Sequence, residues 1–156
     1  MKLKHEELRE LAKARRELAQ KGEFRTMRRY IQHGSVTTYE HVCGVAAMSL
    51  ALAGLLHWKV DRDSLLKGAL LHDFYLYDWH KQKLGNLHGF HHPAAACRNA
   101  VEQYAINEKT QNIIRAHMWP LTLTVLPQSR EAALVGTADK LVSMHETLFR
   151  RQKRKK

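Results

Sequence analysis

Apolar side chains recur every three or four residues along most of this chain, which is the spacing of one face of an α-helix. The pattern predicts a charged helix from Glu6 to Gln20, ended by Gly22, and a short helix from Phe24 to Ile31. The helices predicted after these begin at capping residues or at a proline and run over 37–56, 61–73, 92–105, 107–117 and 129–149.

Two stretches lack this helical pattern. Residues 74–90 are rich in aromatic side chains and histidine, and we expect them to be irregular. Residues 121–126, between Pro120 and Pro127, alternate as a strand would, but an isolated strand would have no partner, so a loop is predicted. The whole pattern predicts an all-α, single-domain orthogonal helical bundle of roughly six or seven helices over residues 1–149.

Composition agrees with one globular domain. The chain has 156 residues, of which 44% are hydrophobic, and contains no apolar run long enough to cross a bilayer. Its charged N-terminus lacks the apolar segment of a signal peptide, so a cytoplasmic protein without membrane contact is expected. Cys43 and Cys97 form no Cys-x-x-Cys pair, which favours buried thiols over a thiolate zinc site.

The formal net charge is +11, and much of it lies near the two ends. A basic surface attracts phosphate groups. The basic tail, residues 150–156, has no apolar content and is predicted to be disordered. Nucleic-acid binding by the ends is an alternative that is not favoured, because no aromatic residues interleave with the tail for stacking on bases. The pattern leaves the oligomeric state open.

Metal-ligating side chains occupy apolar helical stripes. The run Leu70-Leu71-His72-Asp73 ends an apolar helix with an imidazole beside a carboxylate. Burial penalises a carboxylate there, and so does the dipole at a helix C-terminus. A metal ion bound by both side chains would offset both costs. His41, His117 and Asp139 also lie on apolar stripes.

Each of these residues alone has a simpler explanation. A single histidine on an apolar face is more often a hydrogen-bonded core residue, and a single buried aspartate can pair with Lys or Arg. Four helices that each deliver such a group favour one shared metal site, because otherwise every group needs its own polar partner. Imidazole and carboxylate ligands without sulfur suit Fe, Mn, Co, Ni or Zn and argue against Ca.

The order of these residues resembles the HD superfamily of metal-dependent phosphohydrolases. The resemblance extends over residues 38–145 and rests on Glu40-His41-Val42, Ala69-Leu70-Leu71-His72-Asp73 and Ala138-Asp139-Lys140. It is to the six-ligand type of that superfamily, in which the His-Asp doublet and a distal aspartate bind one metal and two intervening histidines help to bind a second. The ordered set in this chain is His41, His72, Asp73, His92, His117 and Asp139.

The resemblance implies an orthogonal HD-type bundle and a two-metal site. His41, His72, Asp73 and Asp139 would bind the first ion, and Asp73, His92 and His117 the second. His88 and His91 compete with His92, which is preferred because His-Pro-Ala-Ala resembles the family's third-histidine context. His88 would then contact a phosphate or replace His92, and His91 would face solvent.

The sequence also departs from some HD members. Residues 74–79 lack the Gly-Lys motif that supplies a substrate-binding lysine, and Lys81, Lys83, Arg115 and Lys140 are the candidates for that role. The glycine-tyrosine-proline stretch of cyclic-dinucleotide members is absent, so that substrate is not assigned.

The resemblance implies hydrolysis of a phosphate ester or anhydride in a small, anionic, nucleotide-like molecule by a metal-activated water. His72 and Asp73 are the predicted catalytic residues, and Asp78 or His88 is a candidate proton shuttle. Two alternatives remain open at this point. One is a di-iron oxygenase of the HD type, and the other is a non-catalytic binding or regulatory module with the same fold.

Overall fold

The structure is a computed structural model that describes residues 3–81 and 88–150, without the side chains of His88 and Arg150. Within these ranges the chain forms six α-helices: α1 (His5–Lys21), α2 (Thr38–Leu55), α3 (Arg62–Leu71), α4 (His88–Gln103), α5 (Glu108–Ala116) and α6 (Arg130–His145). A 3₁₀ segment (Glu23–Arg29) follows α1, and a π-helical turn (Glu146–Arg150) follows α6. The all-α prediction is confirmed.

Four helices begin at the capping residues that the sequence indicates. The side chains of Thr37, Asp61, Asn107 and Ser129 each accept a hydrogen bond from the backbone N–H three residues ahead. At the start of α2, Glu40 completes a capping box by accepting from the backbone N–H of Thr37. These bonds satisfy N–H groups that have no partner inside the helix, which is why these helices start where they do.

Two predicted boundaries are wrong. Helix α4 begins at His88 and not at His92, so Pro93 lies inside the helix and residues 88–90 are helical, whereas an irregular structure was expected there; residues 82–87 of that stretch lie outside the described residues. The predicted helix from Phe24 to Ile31 is a 3₁₀ segment, and Ile31 already belongs to a short hairpin.

The hairpin is an unpredicted element. Strand β1 (Ile31–His33) pairs antiparallel with β2 (Val36–Thr37). The two-residue connection begins with Gly34 at φ 59°, a backbone angle that glycine adopts without the steric cost of a Cβ. The hairpin leads directly into α2 and places Gln32 beside the end of α3.

Helix α2 lies at the centre of the bundle. It packs most extensively against α6 and α3, while α5 packs against α3, α4 and α6. Helices α3 and α5 approach closely at Gly68, where a Cβ would lie 2.5 Å from Cγ2 of Ile113. The largest fully buried apolar side chains are Phe24, Met27, Leu50, Leu65, Leu70, Leu71, Phe74, Ile113 and Ile114.

The loop after α5, the two cysteines and the hydropathy of the helices were also predicted from the sequence. Residues 121–126 contain turns and two bends but no strand, as predicted, and Leu123 in this loop is exposed. Cys97 is a buried free thiol and Cys43 a half-buried one. Within the described parts of the chain, no helix combines the length and the hydropathy that crossing a membrane requires.

Candidate metal centre

Five helices bring the six predicted ligands to one place in the interior. His41 lies in the first turn of α2, His72 and Asp73 directly follow α3, and His117 directly follows α5. His92 lies in α4 and Asp139 in the middle of α6. All six are buried, with Asp139 the most accessible at 8% exposure.

Four ligand atoms form a first group, here called site 1: His41 Nε2, His72 Nε2, Asp73 Oδ2 and Asp139 Oδ1. Asp73 contributes one of its two oxygens to this group. Asp73 Oδ2 lies 3.7 Å from His41 Nε2 and 3.4 Å from His72 Nε2. Asp139 Oδ1 lies 3.1 Å from His41 Nε2 and 3.7 Å from His72 Nε2. Two imidazoles and two carboxylates thus converge within a few ångströms.

The other oxygen of Asp73 faces site 2, made of Asp73 Oδ1, His92 Nε2 and His117 Nε2. Asp73 Oδ1 lies 3.1 Å from His92 Nε2 and 3.7 Å from His117 Nε2, and the two imidazole nitrogens are 2.8 Å apart. Asp73 therefore stands between two groups of nitrogen ligands and presents one oxygen to each.

Outer hydrogen bonds orient the imidazoles of His72, His117 and His41. Nδ1 of His72 donates to the carbonyl of Ala69 at 2.8 Å, and Nδ1 of His117 donates to the carbonyl of Ile114 at 2.7 Å. These tautomers are assigned from the partners, because a carbonyl only accepts. In His41, Nδ1 lies 2.9 Å from Glu146 Oε2. Each Nε2 therefore points into the cluster, the arrangement typical of metal-ligating histidines.

Two buried polar atoms at the centre lack hydrogen-bond partners. Within the described residues, no group hydrogen-bonds to His72 Nε2 or to Asp73 Oδ1. A buried polar atom without a partner costs free energy. Both atoms are of the type that binds a metal ion, and each belongs to a different one of the two sites. The donor set therefore fits divalent transition metals.

Electrostatics keep both carboxylates ionised. Burial would raise the pKa of Asp73 and Asp139, but hydrogen bonds and the charge of nearby imidazoles outweigh it and hold each pKa well below its usual range. For His41, burial acts in the opposite direction and lowers the pKa. The neighbouring carboxylates of Asp139, Glu146 and Asp73 outweigh burial and raise the pKa to about 9.

His117 differs from the other histidines. Burial, followed by the neighbouring imidazoles of His72 and His92, lowers the pKa of His117 to about 3. His117 is therefore neutral at physiological pH, which is the protonation state that a metal ligand needs.

The model of the HD domain family matches residues 38–144, more than half of the chain. The chain belongs to the HD domain family. No curated protein and no solved structure matches it significantly. The matched segment begins with the first residue of α2 and contains all six clustered side chains.

A cavity of about 720 Å³ opens onto the six-residue cluster of this HD domain. Asp73, His92, His117 and Asp139 line its polar side. The apolar side is lined by Trp79, Gly89, Met118, Pro120 and Leu121. Charged and apolar side chains therefore line the same cavity.

The predicted substrate-binding residues occupy different places. Lys140 lines the cavity, and its Nζ donates to the carbonyls of His117 at 2.9 Å and Gly136 at 3.0 Å. Asp78 lies within ion-pair distance of Lys81, 3.4 Å away, and neither residue lines the cavity. Arg115 is exposed on α5 and is not part of the lining.

The three histidines that compete for the third-histidine position, and the candidate Lys83, have different outcomes. His92 lies in the cluster, and His91 is exposed. The side chain of His88 and the whole of Lys83 lie outside the described residues.

Two residues that contact the cluster were not predicted from the sequence. Gln32 donates from Nε2 to Asp73 Oδ2 at 2.6 Å, and Tyr75 and Thr38 hold its Oε1 from the other side. Glu146 contacts His41.

A signal for one of them was present. Glu146 lies seven residues after Asp139, which is two helical turns, so the face of Asp139 predicts its direction. Gln32 belongs to the unpredicted hairpin, and its local sequence carries no comparable signal.

Proposed function

We propose that this HD domain is a phosphohydrolase that holds two divalent metal ions, one at site 1 and one at site 2. The observation that carries the proposal is the position of Asp73, whose two oxygens face two different groups of imidazole nitrogens. One carboxylate between two such groups suits a bridging ligand. The nitrogen and oxygen donors, without sulfur, favour Fe, Mn, Co, Ni or Zn.

The residues around the ions would control the chemistry. A divalent ion bound there supplies a water of lowered pKa and positive charge for phosphate oxygens. Asp73 would orient the reacting groups between the two sites. The Ala69 carbonyl fixes the ring of His72, so that its Nε2 would stay directed at site 1. His33 lines the cavity, and burial lowers its pKa, so its neutral imidazole could accept a proton.

The cavity favours a substrate that joins a phosphate to an apolar or aromatic group. Four side chains of the candidate metal cluster line it, and so do Trp79, Met118 and Leu121, whose apolar surfaces could contact a flat ring. Two of the three N–H donors of Lys140 bond backbone carbonyls, and the third could bind a phosphate oxygen in the cavity that Lys140 lines. We therefore propose a phosphate ester or anhydride of a small nucleotide-like molecule.

Metal analysis followed by a substrate screen tests the proposal. Protein purified without chelator is analysed for bound metals and then assayed against nucleotides and phosphoesters with added Mn, Co, Ni or Fe. The Asp73→Ala variant should lose both metal and phosphate release while keeping its helical content. The control is Asp63→Ala, which removes an exposed carboxylate that pairs with Lys67 at 2.7 Å, outside the cluster, and should behave as wild type.

The outcomes separate the alternatives. Oxygen-dependent turnover with bound iron and no phosphate release would instead indicate a di-iron oxygenase. Protein that binds no metal and hydrolyses nothing would indicate a binding module. Normal turnover by Asp73→Ala would show that the catalytic site lies elsewhere.

A further inference from the structure

A second cavity, here called the arginine pocket, shares no lining residue with the cavity at the metal centre. Its volume is about 380 Å³. Arg15 and Arg16 of α1, Arg25 and Arg28 of the 3₁₀ segment and Tyr39 of α2 surround it. Three separate elements therefore bring four guanidinium groups around one hollow.

The spacing along α1 explains why the hollow is open. Ala12, Arg15, Arg16 and Ala19 follow one another at intervals of three, one and three residues, so they share one helix face. The two alanines have the smallest side chains on that face and leave room between the arginines. Gly22 then ends α1, and the chain turns back as the 3₁₀ segment that carries Arg25 and Arg28.

Tyr39 organises two of the guanidinium groups. Arg15 donates to its hydroxyl oxygen from Nη2 at 2.8 Å and from Nε at 3.3 Å. Arg28 stacks over its ring, with the guanidinium carbon 4.3 Å from the ring centre. Tyr39 in turn packs against the buried Phe24, with ring centres 5.2 Å apart. The two arginines are thus held in place before any ligand arrives, which lowers the entropic cost of binding.

The positive charge of the arginine pocket is not compensated by carboxylates. None of the residues that line it is acidic, and none of its four arginines forms an ion pair with a carboxylate of the described residues. By contrast, Lys13 on α1 pairs with Glu17, and Arg62 contacts Glu7 and Glu10. Four like charges around one hollow repel one another unless an anion enters.

We propose that the arginine pocket binds a small polyphosphate, such as the triphosphate group of a nucleotide or inorganic tripolyphosphate. The guanidinium fork matches phosphate oxygens in a bidentate geometry, and several forks around one hollow suit an anion with several phosphates. The volume lies within the range of small-molecule sites, about 300–1,000 Å³. The proposal does not depend on hydrolysis at the metal centre.

A nucleic acid fits the pocket less well. Single strands are bound along extended grooves with aromatic faces on which bases stack. Among the described residues that line this pocket, Tyr39 is the only aromatic one, and Arg28 already covers its ring. The pocket therefore has charge for phosphates but no open stacking surface for bases.

The test is calorimetric titration of the full chain with sodium tripolyphosphate, in the presence of a chelator so that ions at the metal centre play no part. The test variant Arg25→Gln/Arg28→Gln is compared with Arg9→Gln/Arg98→Gln, which loses the same charge from two exposed arginines outside the pocket. We expect saturable binding to wild type, a loss of affinity of about tenfold or more in the pocket variant, and a loss of less than about twofold in the control.

Three results would overturn the proposal. The first is an equal loss in both variants, which would indicate attraction to the overall charge and no site. The second is the absence of saturable binding to wild type. In the third, a single-stranded oligonucleotide of matched charge binds more tightly than tripolyphosphate and loses affinity in the same pocket variant, which would identify the pocket as part of a nucleic-acid surface.

Discussion

The contact between His41 and Glu146 allows one half of the metal centre to be perturbed alone. Glu146 is 6% exposed, and its Oε2 lies 2.9 Å from Nδ1 of His41. It touches no residue of site 2 in any described contact. The Glu146→Gln variant removes the negative charge but keeps an oxygen that can accept the same hydrogen bond. The Glu146→Leu variant removes both charge and acceptor.

The expected magnitude follows from this geometry. Outer partners of ligating histidines are worth about 10–100-fold in metal affinity. Because each factor of ten is about 1.4 kcal/mol, this corresponds to about 1.4–2.8 kcal/mol of binding free energy. We expect Glu146→Gln to weaken metal binding at site 1 about tenfold, since the tautomer of His41 is retained, and Glu146→Leu to approach the upper limit.

The assay is a competitive titration of Mn²⁺ or Zn²⁺ against a coloured chelator, which gives the stoichiometry and the affinity of each site. One tight site should remain in both Glu146 variants, because His92 and His117 are untouched. The control is Glu102→Gln, which neutralises an exposed carboxylate on α4. Unchanged affinities in Glu146→Leu, or an equal loss at both sites, would refute the division of the centre into two halves.

Three further predictions follow from the same contacts. Because the pKa of His41 is raised to about 9 and that of His72 also lies well above its usual value, a metal must displace a proton from each imidazole. Affinity at site 1 should therefore rise by about ten- to hundredfold per pH unit from 6.5 to 9 in the same titration, and a flat profile would contradict this. In urea unfolding, the free energy of unfolding of Gly68→Ala should be about 1–3 kcal/mol lower than that of Gly54→Ala. Both variants gain helix propensity, but only the new methyl group at position 68 would collide with a packed side chain, that of Ile113, and equal stabilities would contradict this. Gln32→Leu removes the 2.6 Å hydrogen bond to Asp73 and should destabilise the metal-free protein by about 1–3 kcal/mol in urea, whereas wild-type stability would show that the bond contributes nothing.

The helical framework could be predicted because its signals are local. Thr37, Asp61, Asn107 and Ser129 each mark a helix start by a hydrogen bond that spans three residues, and a short sequence window contains both partners. The predicted start of α4 was wrong for the converse reason. Pro93 fits a first helical turn, and local reasoning could not show that the chain is already helical from His88.

The hairpin had a readable signal that helical periodicity obscured. Gly34 and Ser35 separate Ile31-Gln32-His33 from Val36-Thr37, which is a two-residue hairpin pattern with glycine at the first turn position. Because the strands have only three and two residues, they give too few alternating positions to stand out.

The candidate site divides in the same way. Five of the six clustered side chains were predicted because ligand-type residues on apolar stripes are costly without a shared partner, and His92 was added from the resemblance to the HD superfamily. Their pairing was not readable from spacing alone: the assignment of Oδ1 of Asp73 to His92 and His117 depends on how α4 and α5 pack. Gln32 could not be predicted, since its contact with Asp73 spans 41 residues of sequence.

The central claim is that the Asp73 carboxylate lies between two ions. Anomalous diffraction from crystals of the Mn²⁺-loaded protein measures this most directly. Two manganese peaks are expected, one at Oδ2 of Asp73 and the other at Oδ1. Manganese found only away from Asp73, or a fully loaded crystal with no peak at this carboxylate, would contradict it.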